Sequence, residues 1–316
     1  AAPFLYFFSA EVPPLLYYSH IPTAFFAIFF GIFVYLQNKK ALANKLLLIL
    51  TTLFFSLTLL NLLSWVNIDS RIITLAWLFS QVVYLTIPLV ALYLYHVFIH
   101  KQDISFKYKI LGLGVIVIFS VLVAFGYTQS HFDLISCELV ESQLPQIYQP
   151  IVEGLAFLIF VISFFKALRN AKSEDEKKKA KIFTLGIFLF LALLAFTWHI
   201  AAALDLFEIE QYGLFGMVVF LAFLGYLIVQ YKAFDVKVFG AQALVFAIVV
   251  LIGSQFFYVK SLSNLILNGI AFVLTLVAGY YLVKSVGIEV KQKEELQKLS
   301  DTLAKANARL KELDTA

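Results

Sequence analysis

The chain has 316 residues, 62% of them hydrophobic and only 14% charged, with a mean hydropathy of +0.90. A water-soluble domain carries about 45–50% apolar and about 25% charged residues, so lipid must be the solvent for most of this sequence. The composition excludes a disordered chain and a nucleic-acid binder. The single cysteine, Cys137, excludes an intramolecular disulfide.

Apolar runs bounded by charged or polar clusters predict nine spans, at 14–36, 46–66, 72–99, 110–128, 148–168, 182–204, 212–231, 241–259 and 264–284. Each is close to the about 20 residues that carry a helix across an about 30 Å hydrocarbon core. The runs are continuously apolar rather than alternating, which favours helices over a β-barrel. The expected fold class is therefore all-α: a polytopic helical bundle with a C-terminal cytoplasmic coiled-coil helix. Three regions are expected: a seven-span bundle at 1–231, two further spans at 232–284, and a coiled coil from 285 to 316. The first residues, AAPFLYFF, lack the basic start of a signal peptide. The only methionine is Met217, so Ala1 is not read as the start of translation.

Charge tests the count. With nine spans, 22 of the 24 basic residues fall on one side, including Lys39, Lys40, Lys101, Lys107 and the run from Lys166 to Lys181. The other side keeps only Arg71 and Lys260, beside acids such as Glu11, Asp69, Asp133, Glu138, Glu141, Asp205, Glu208 and Glu210. The positive-inside rule then places the N-terminus outside and the C-terminus in the cytoplasm of a bacterial-type inner membrane.

Polar and aromatic residues collect in the expected outer halves of the spans. They are Tyr17, Tyr18 and His20; Asn61 and Trp65; Trp77, Gln81 and Tyr84; Gln149 and Glu153; Trp198 and His199. An ionisable group about one turn inside a span, as at Glu153, costs a few kcal/mol unless it is paired or wet. Two readings stay open: an outward-facing pocket in which Glu153 pairs with His20 or His199, or an aromatic belt with a structural polar pair. The candidate ligand-binding residues are His20, Gln81, Tyr84, Glu153, Trp198 and His199. The ligand is expected to be small and apolar or amphipathic. Pro22, Pro88 and Pro150 fall within or at the starts of spans, and Pro88 is placed to kink the third. His96 and His100 lie four apart on one face, but no nearby cysteine or carboxylate completes a metal site, so no metal or cofactor is expected. Lys232 and Lys260 sit at span edges, which disfavours a retinal Schiff base.

The character changes at residue 285. Leu296, Leu299, Leu303, Ala306, Leu310 and Leu313 are spaced 3, 4, 3, 4 and 3, a heptad seam among charged residues. Such a seam suits a parallel homodimer; an amphipathic helix lying on inner loops or lipid is the alternative. The chain ends within this helix, which suggests a piece of a longer protein.

The tail KEELQKLSDTLAKANARLKELD (293–314) resembles the signalling helix that precedes the dimerisation and phosphoacceptor domain of bacterial sensor histidine kinases. YKAFDVKVFG (231–240) is similar to the Tyr-basic-x-x-Asp-aliphatic segment after the seventh span of the seven-transmembrane members of that family. The resemblance implies a sensor module with a downstream kinase and response regulator as partners. The 316 residues contain no histidine after His199 and no glycine-rich phosphate loop, so they are not expected to be an enzyme alone. A transporter or lipid-handling protein with an oligomerising C-terminal helix is the alternative, though charged midplane residues and broken spans in matching halves are scarce.

Overall fold

A computed structural model describes residues 14–133, 138–204, 206–231 and 233–235, and beyond them the stretch 268–281 with scattered positions up to 303. The chain divides into two compact units, Ala1–Val236 and Lys237–Ala316.

The first unit is a helical bundle. Its helices are α1 (Pro14–Gln37), α2 (Leu42–Trp65), α3 (Ser70–His100), α4 (Phe106–Ala124), α5 (Gln143–Asn170), α6 (Glu174–Leu204), the one-turn α7 (Glu210–Gly213) and α8 (Phe215–Tyr231). With α7 and α8 joined as Glu210–Ile228, seven helices among the described residues are long and apolar enough to cross a membrane. This is the pattern of a multi-pass membrane protein. Their order and positions match the first seven expected spans. The eighth expected span lies largely outside the described residues. The ninth contains a shorter apolar helix, α9 (Asn268–Tyr281).

Local chemistry sets the helix ends. The Asp69 carboxylate accepts from the Arg71 amide at 2.9 Å and caps α3. Ser173 caps α6 by accepting from the Glu176 amide at 3.2 Å, while Glu176 reaches back to the Lys172 amide at 2.8 Å. α3 ends at Lys101, whose φ of 53° turns the chain out of the helix. Pro22, Pro88 and Pro150 all lie inside continuous helices.

Neighbouring helices in sequence pack together, and α8 returns against α6 and α1 to close the bundle. α3 touches α2, α4, α5 and α6. Buried threonines at 51, 58, 184 and 197 return their hydroxyls to carbonyls of the preceding turn, so they enter the apolar interior satisfied. Close approach depends on glycine at two contacts. A Cβ on Gly213 would meet Thr197 Oγ1 at 2.2 Å, and one on Gly31 would overlap the Thr51 hydroxyl. α4 is peripheral: only 11% of its span is buried, and Leu111, Leu113 and Ile118 are each more than 60% exposed, a surface suited to lipid.

One end of the bundle, where α2 begins and α8 finishes, is closed by a clamp. After α8 the chain makes a short 3-10 turn, Ala233–Asp235, in which Phe234 is buried at φ 61°. The fully buried Asn44 at the start of α2 donates to the Val34 carbonyl at 2.8 Å and to the Phe234 carbonyl at 3.2 Å. The Phe234 ring stacks on Phe98, 5.2 Å away, and Phe98 stacks on Phe183 at 4.0 Å. From there the ring contacts continue through Phe220 and Phe190 to Phe54, each step about 6 Å.

At the opposite end, the described residues between α4 and α5 depart from all-α: they form an antiparallel hairpin, β1 (Gln129–Asp133) with β2 (Glu138–Glu141), in which Phe132 faces Leu139. Leu139 is buried, which gives the hairpin an inner face against the bundle. Cys137 and the rest of 134–137 lie outside the described residues.

In the second unit, Val245 lies against Gly279 and Phe256 meets Phe272 edge-on at 5.7 Å. These contacts run in opposite directions along the chain. Leu296, Leu299 and Leu303 are helical and each more than 60% exposed. Ala306, Leu310 and Leu313 lie outside the described residues.

Candidate functional site

The expected outer-half residues gather at the hairpin end of the bundle, in three hydrogen-bonded groups. The first joins α3, α5 and α6. Glu153 Oε1 accepts from the Tyr84 hydroxyl at 2.8 Å, and Glu153 Oε2 lies 2.6 Å from His199 Nε2. The Glu153 side chain is only 11% exposed and that of His199 37% exposed, so the carboxylate is the more deeply held partner. Trp198 packs between Tyr84, 6.5 Å away, and Trp77, 5.9 Å away. The sequence spacing explains the assembly. Trp77 and Tyr84 are two turns apart on one face of α3, and Glu153 faces them from the first half of α5.

Two narrow slots flank the carboxylate. One lies between Tyr84 and Pro88 of α3, Glu153, Ala156 and Phe157 of α5, and Leu191, Leu194 and Ala195 of α6. The other is bounded by Tyr84, Leu85, Pro88, Tyr148, Gln149, Val152 and Glu153. Each is a slit that admits a water-sized body rather than a broad chamber. Glu153 is the one ionisable acid on either wall.

His20 belongs to a second group. Its Nε2 lies 2.9 Å from Asn61 Oδ1, and Asn61 Nδ2 donates to Glu210 Oε1 at 3.0 Å. On its other side, His20 Nδ1 lies 2.9 Å from the Ser19 hydroxyl and 3.0 Å from the Leu16 carbonyl, so the ring is held through both nitrogens. Of the two partners considered for Glu153, the structure joins it to His199, and His20 serves α1, α2 and α7 instead.

Gln81 belongs to a third group. Its Nε2 donates to Glu141 Oε1 at 3.4 Å, with the carboxylate delivered by β2. Burial pushes the Glu141 carboxyl up to about 7, and the hydrogen bond from Gln81 opposes that rise. The Gln81 Oε1 atom is itself buried without a side-chain or backbone partner, as are both amide atoms of Gln211.

Of the six candidate residues, the structure therefore brings Tyr84, Glu153, Trp198 and His199 together and places His20 and Gln81 in neighbouring groups. Asn61, Glu141 and Glu210 complete those groups. Glu210 opens the seventh span, and its position directly before an apolar run is the signal that it enters the bundle. Glu141 reaches Gln81 because it is carried on β2 opposite β1, and the polar residues interspersed with Phe132, Leu139 and Val140 are a weak strand signature.

Chemically, the three groups offer buried acceptors and little positive charge. Among the described residues at this end, the basic side chain is Arg71, which is 86% exposed and bound to Asp69 at 3.1 Å. No cluster of three or more histidine, cysteine or acidic residues placed to hold a metal ion occurs among the described residues. No protein-family model matches the chain, and no curated protein matches it in sequence.

Proposed function

We propose that the chain is the transmembrane sensor module of a two-component histidine kinase in a bacterial inner membrane. In this reading its N-terminus is outside and its C-terminus in the cytoplasm. A signal received in the outer part of the bundle biases a homodimeric coiled coil beginning near residue 285. The coiled coil hands that bias to a kinase region that these 316 residues do not contain, and through it to a response regulator. The observation that carries the reading is the Glu153–His199 pair, an ionisable contact set nearly three turns from the start of α5 and little more than one turn from the end of α6, and flanked by two slots. Ionisable groups set inside membrane helices mark functional positions because packing alone does not repay their desolvation. The exposed leucines 296, 299 and 303 support the output half of the proposal: a face of that kind is matched by a second copy.

The test is a chimera. Residues 1–316 are joined in heptad register to the phosphoacceptor and ATP-binding regions of a characterised histidine kinase, with a transcriptional reporter downstream. Insertion of seven residues at the junction should preserve output, whereas insertion of one to three should change it. Glu153→Gln should shift the basal level. Output that ignores both register and Glu153 would overturn the proposal.

A further inference from the structure

The hairpin rests on two of the helices that build the Glu153 group. β2 lies against α3 and α5, and its Leu139 and Glu141 side chains share one face because residues two apart in a strand point the same way. Leu139 is buried, so that face is the one turned to the helices. The root of the hairpin is pinned separately. There the Ser142 amide donates to the Thr128 carbonyl at 3.1 Å, and the Ser142 hydroxyl donates to the Tyr127 carbonyl at 2.7 Å. The strand itself meets the bundle through an apolar group, Leu139, and a polar one, Glu141.

The polar contact is incomplete while Glu141 is ionised. Gln81 Nε2 donates to Glu141 Oε1 over 3.4 Å, a long bond, and Gln81 Oε1 is buried with no donor from side chain or backbone. A carboxylate only accepts, so it cannot serve that oxygen. A carboxylic acid can. Its hydroxyl is a donor, and acid and carboxamide match as two parallel hydrogen bonds, O–H to Oε1 and Nε2–H to the remaining acid oxygen. The surroundings favour the same form. Tyr148 of α5 and Glu210 of α7 lie within electrostatic reach of Glu141, and Gln81 faces it from α3. On β1, Gln129 stands opposite Glu141, while the exposed His131 pairs with Val140, whose side chain takes the other face of the strand. Arg71 is exposed and held by Asp69. Burial therefore acts on Glu141 with no cation to offset it, and pushes its carboxyl up to about 7.

We propose that Glu141 and Gln81 form a proton-operated latch: the hairpin is held on α3 and α5 while Glu141 is protonated and is released from them when it ionises. The docked carboxyl is at about 7 and the freed one at its ordinary 4.5. Docking is thus strongest below about pH 4.5, is lost as pH rises to about 7, and changes no further above that. The inference stands apart from the sensor proposal, because docking is read on the isolated chain and needs no kinase output. A silent chimera would leave it standing.

The experiment follows amide hydrogen exchange by mass spectrometry on the full chain in lipid nanodiscs, from pH 5 to pH 8, with rates corrected for the intrinsic effect of pH. An isolated two-stranded hairpin is marginally stable, so undocking opens its amides to exchange. Protection of the β1 and β2 peptides should fall by at least about tenfold across that range, while α2 and α6 keep theirs. Glu141→Gln, neutral at every pH and of the same shape, should hold the pH 5 protection at pH 8. Gln81→Met removes the partner amide and should lower protection at pH 5, so the latch stays testable if the first variant fails to fold. Equal protection of the hairpin at pH 5 and pH 8, or a step that persists in folded Glu141→Gln, would overturn the proposal. An equal loss in α2 and α6 would do the same, since the whole bundle would then be responding.

Discussion

His199 Nε2 and Glu153 Oε2 stand 2.6 Å apart, joining α6 to α5 across 46 positions of sequence. This contact and the Tyr84 hydroxyl bond tie α5 to both α6 and α3. In a double-mutant cycle with Glu153→Gln and His199→Gln, the coupling energy should fall between about 0.5 and 2 kcal/mol, the range of polar contacts between membrane helices. Reversible unfolding in mixed micelles would measure it. Additive effects would show that the two groups are neighbours without being partners.

Glu141 gives a pH dependence with a definite sign. Its carboxyl is at about 7 in the folded protein against an ordinary value of 4.5, so between these limits the folded state holds the proton more tightly than the unfolded state. Stability is therefore greatest below about pH 4.5 with respect to this group and is lost as pH rises through 7, by about 3 kcal/mol in total. Thermal unfolding at pH 5 and pH 8 should differ in that direction, and Glu141→Gln should flatten the difference.

Glycines separate close helix contacts from lipid-facing surface. A Cβ on Gly213 would fall 2.2 Å from Thr197 Oγ1 and 3.0 Å from the Leu193 carbonyl, so Gly213→Ala should cost about 1–3 kcal/mol. On α4 a Cβ at Gly112 or Gly114 meets nothing within 4 Å, and alanine there should be neutral or stabilise by up to about 1 kcal/mol. Melting temperatures of the three variants should fall in that order.

At the clamp, Phe234→Gly and Phe234→Ala both remove the ring that stacks on Phe98. Only glycine adopts φ 61° without strain, so the glycine variant should be the more stable by about 1 kcal/mol. Asn44→Ala removes donors to two carbonyls and should cost about 1–3 kcal/mol. If alanine proved the better replacement at 234, the left-handed turn would not be a feature of the folded state.

The proposed orientation can be read chemically, because Cys137 is the only thiol. A membrane-impermeant maleimide should label Cys137 in intact cells. In a Cys137→Ser background, Lys177→Cys should be labelled only after the cells are opened. The reverse pattern would invert the topology.

The seven helices were legible because apolar run length and charge punctuation report directly on the cost of exposing backbone and charge to lipid. Glu153 stood out for the same reason: a carboxylate inside an apolar run must be paired, and the partner had to be polar and at the same depth. The choice of His199 over His20 was not legible, because it depends on how the helices are arranged around the bundle. Asn61 and Glu210 claim His20 only once α7 is set against α1 and α2. The hairpin was missed because its alternation is short and is interrupted between the two strands. Phe234 gave no signal, since only the packing of Asn44 and Phe98 around it explains a left-handed phenylalanine.

That phenylalanine makes the exit from the bundle discontinuous. Away from glycine, backbone with positive φ is separated from ordinary conformations by a steric barrier, so the turn at Ala233–Asp235 has alternatives but few intermediates. The Asn44 hydrogen bond and the Phe98 stack therefore select one backbone basin at this exit, and a substitution that loosens either contact frees a choice between discrete turns rather than a gradual bend.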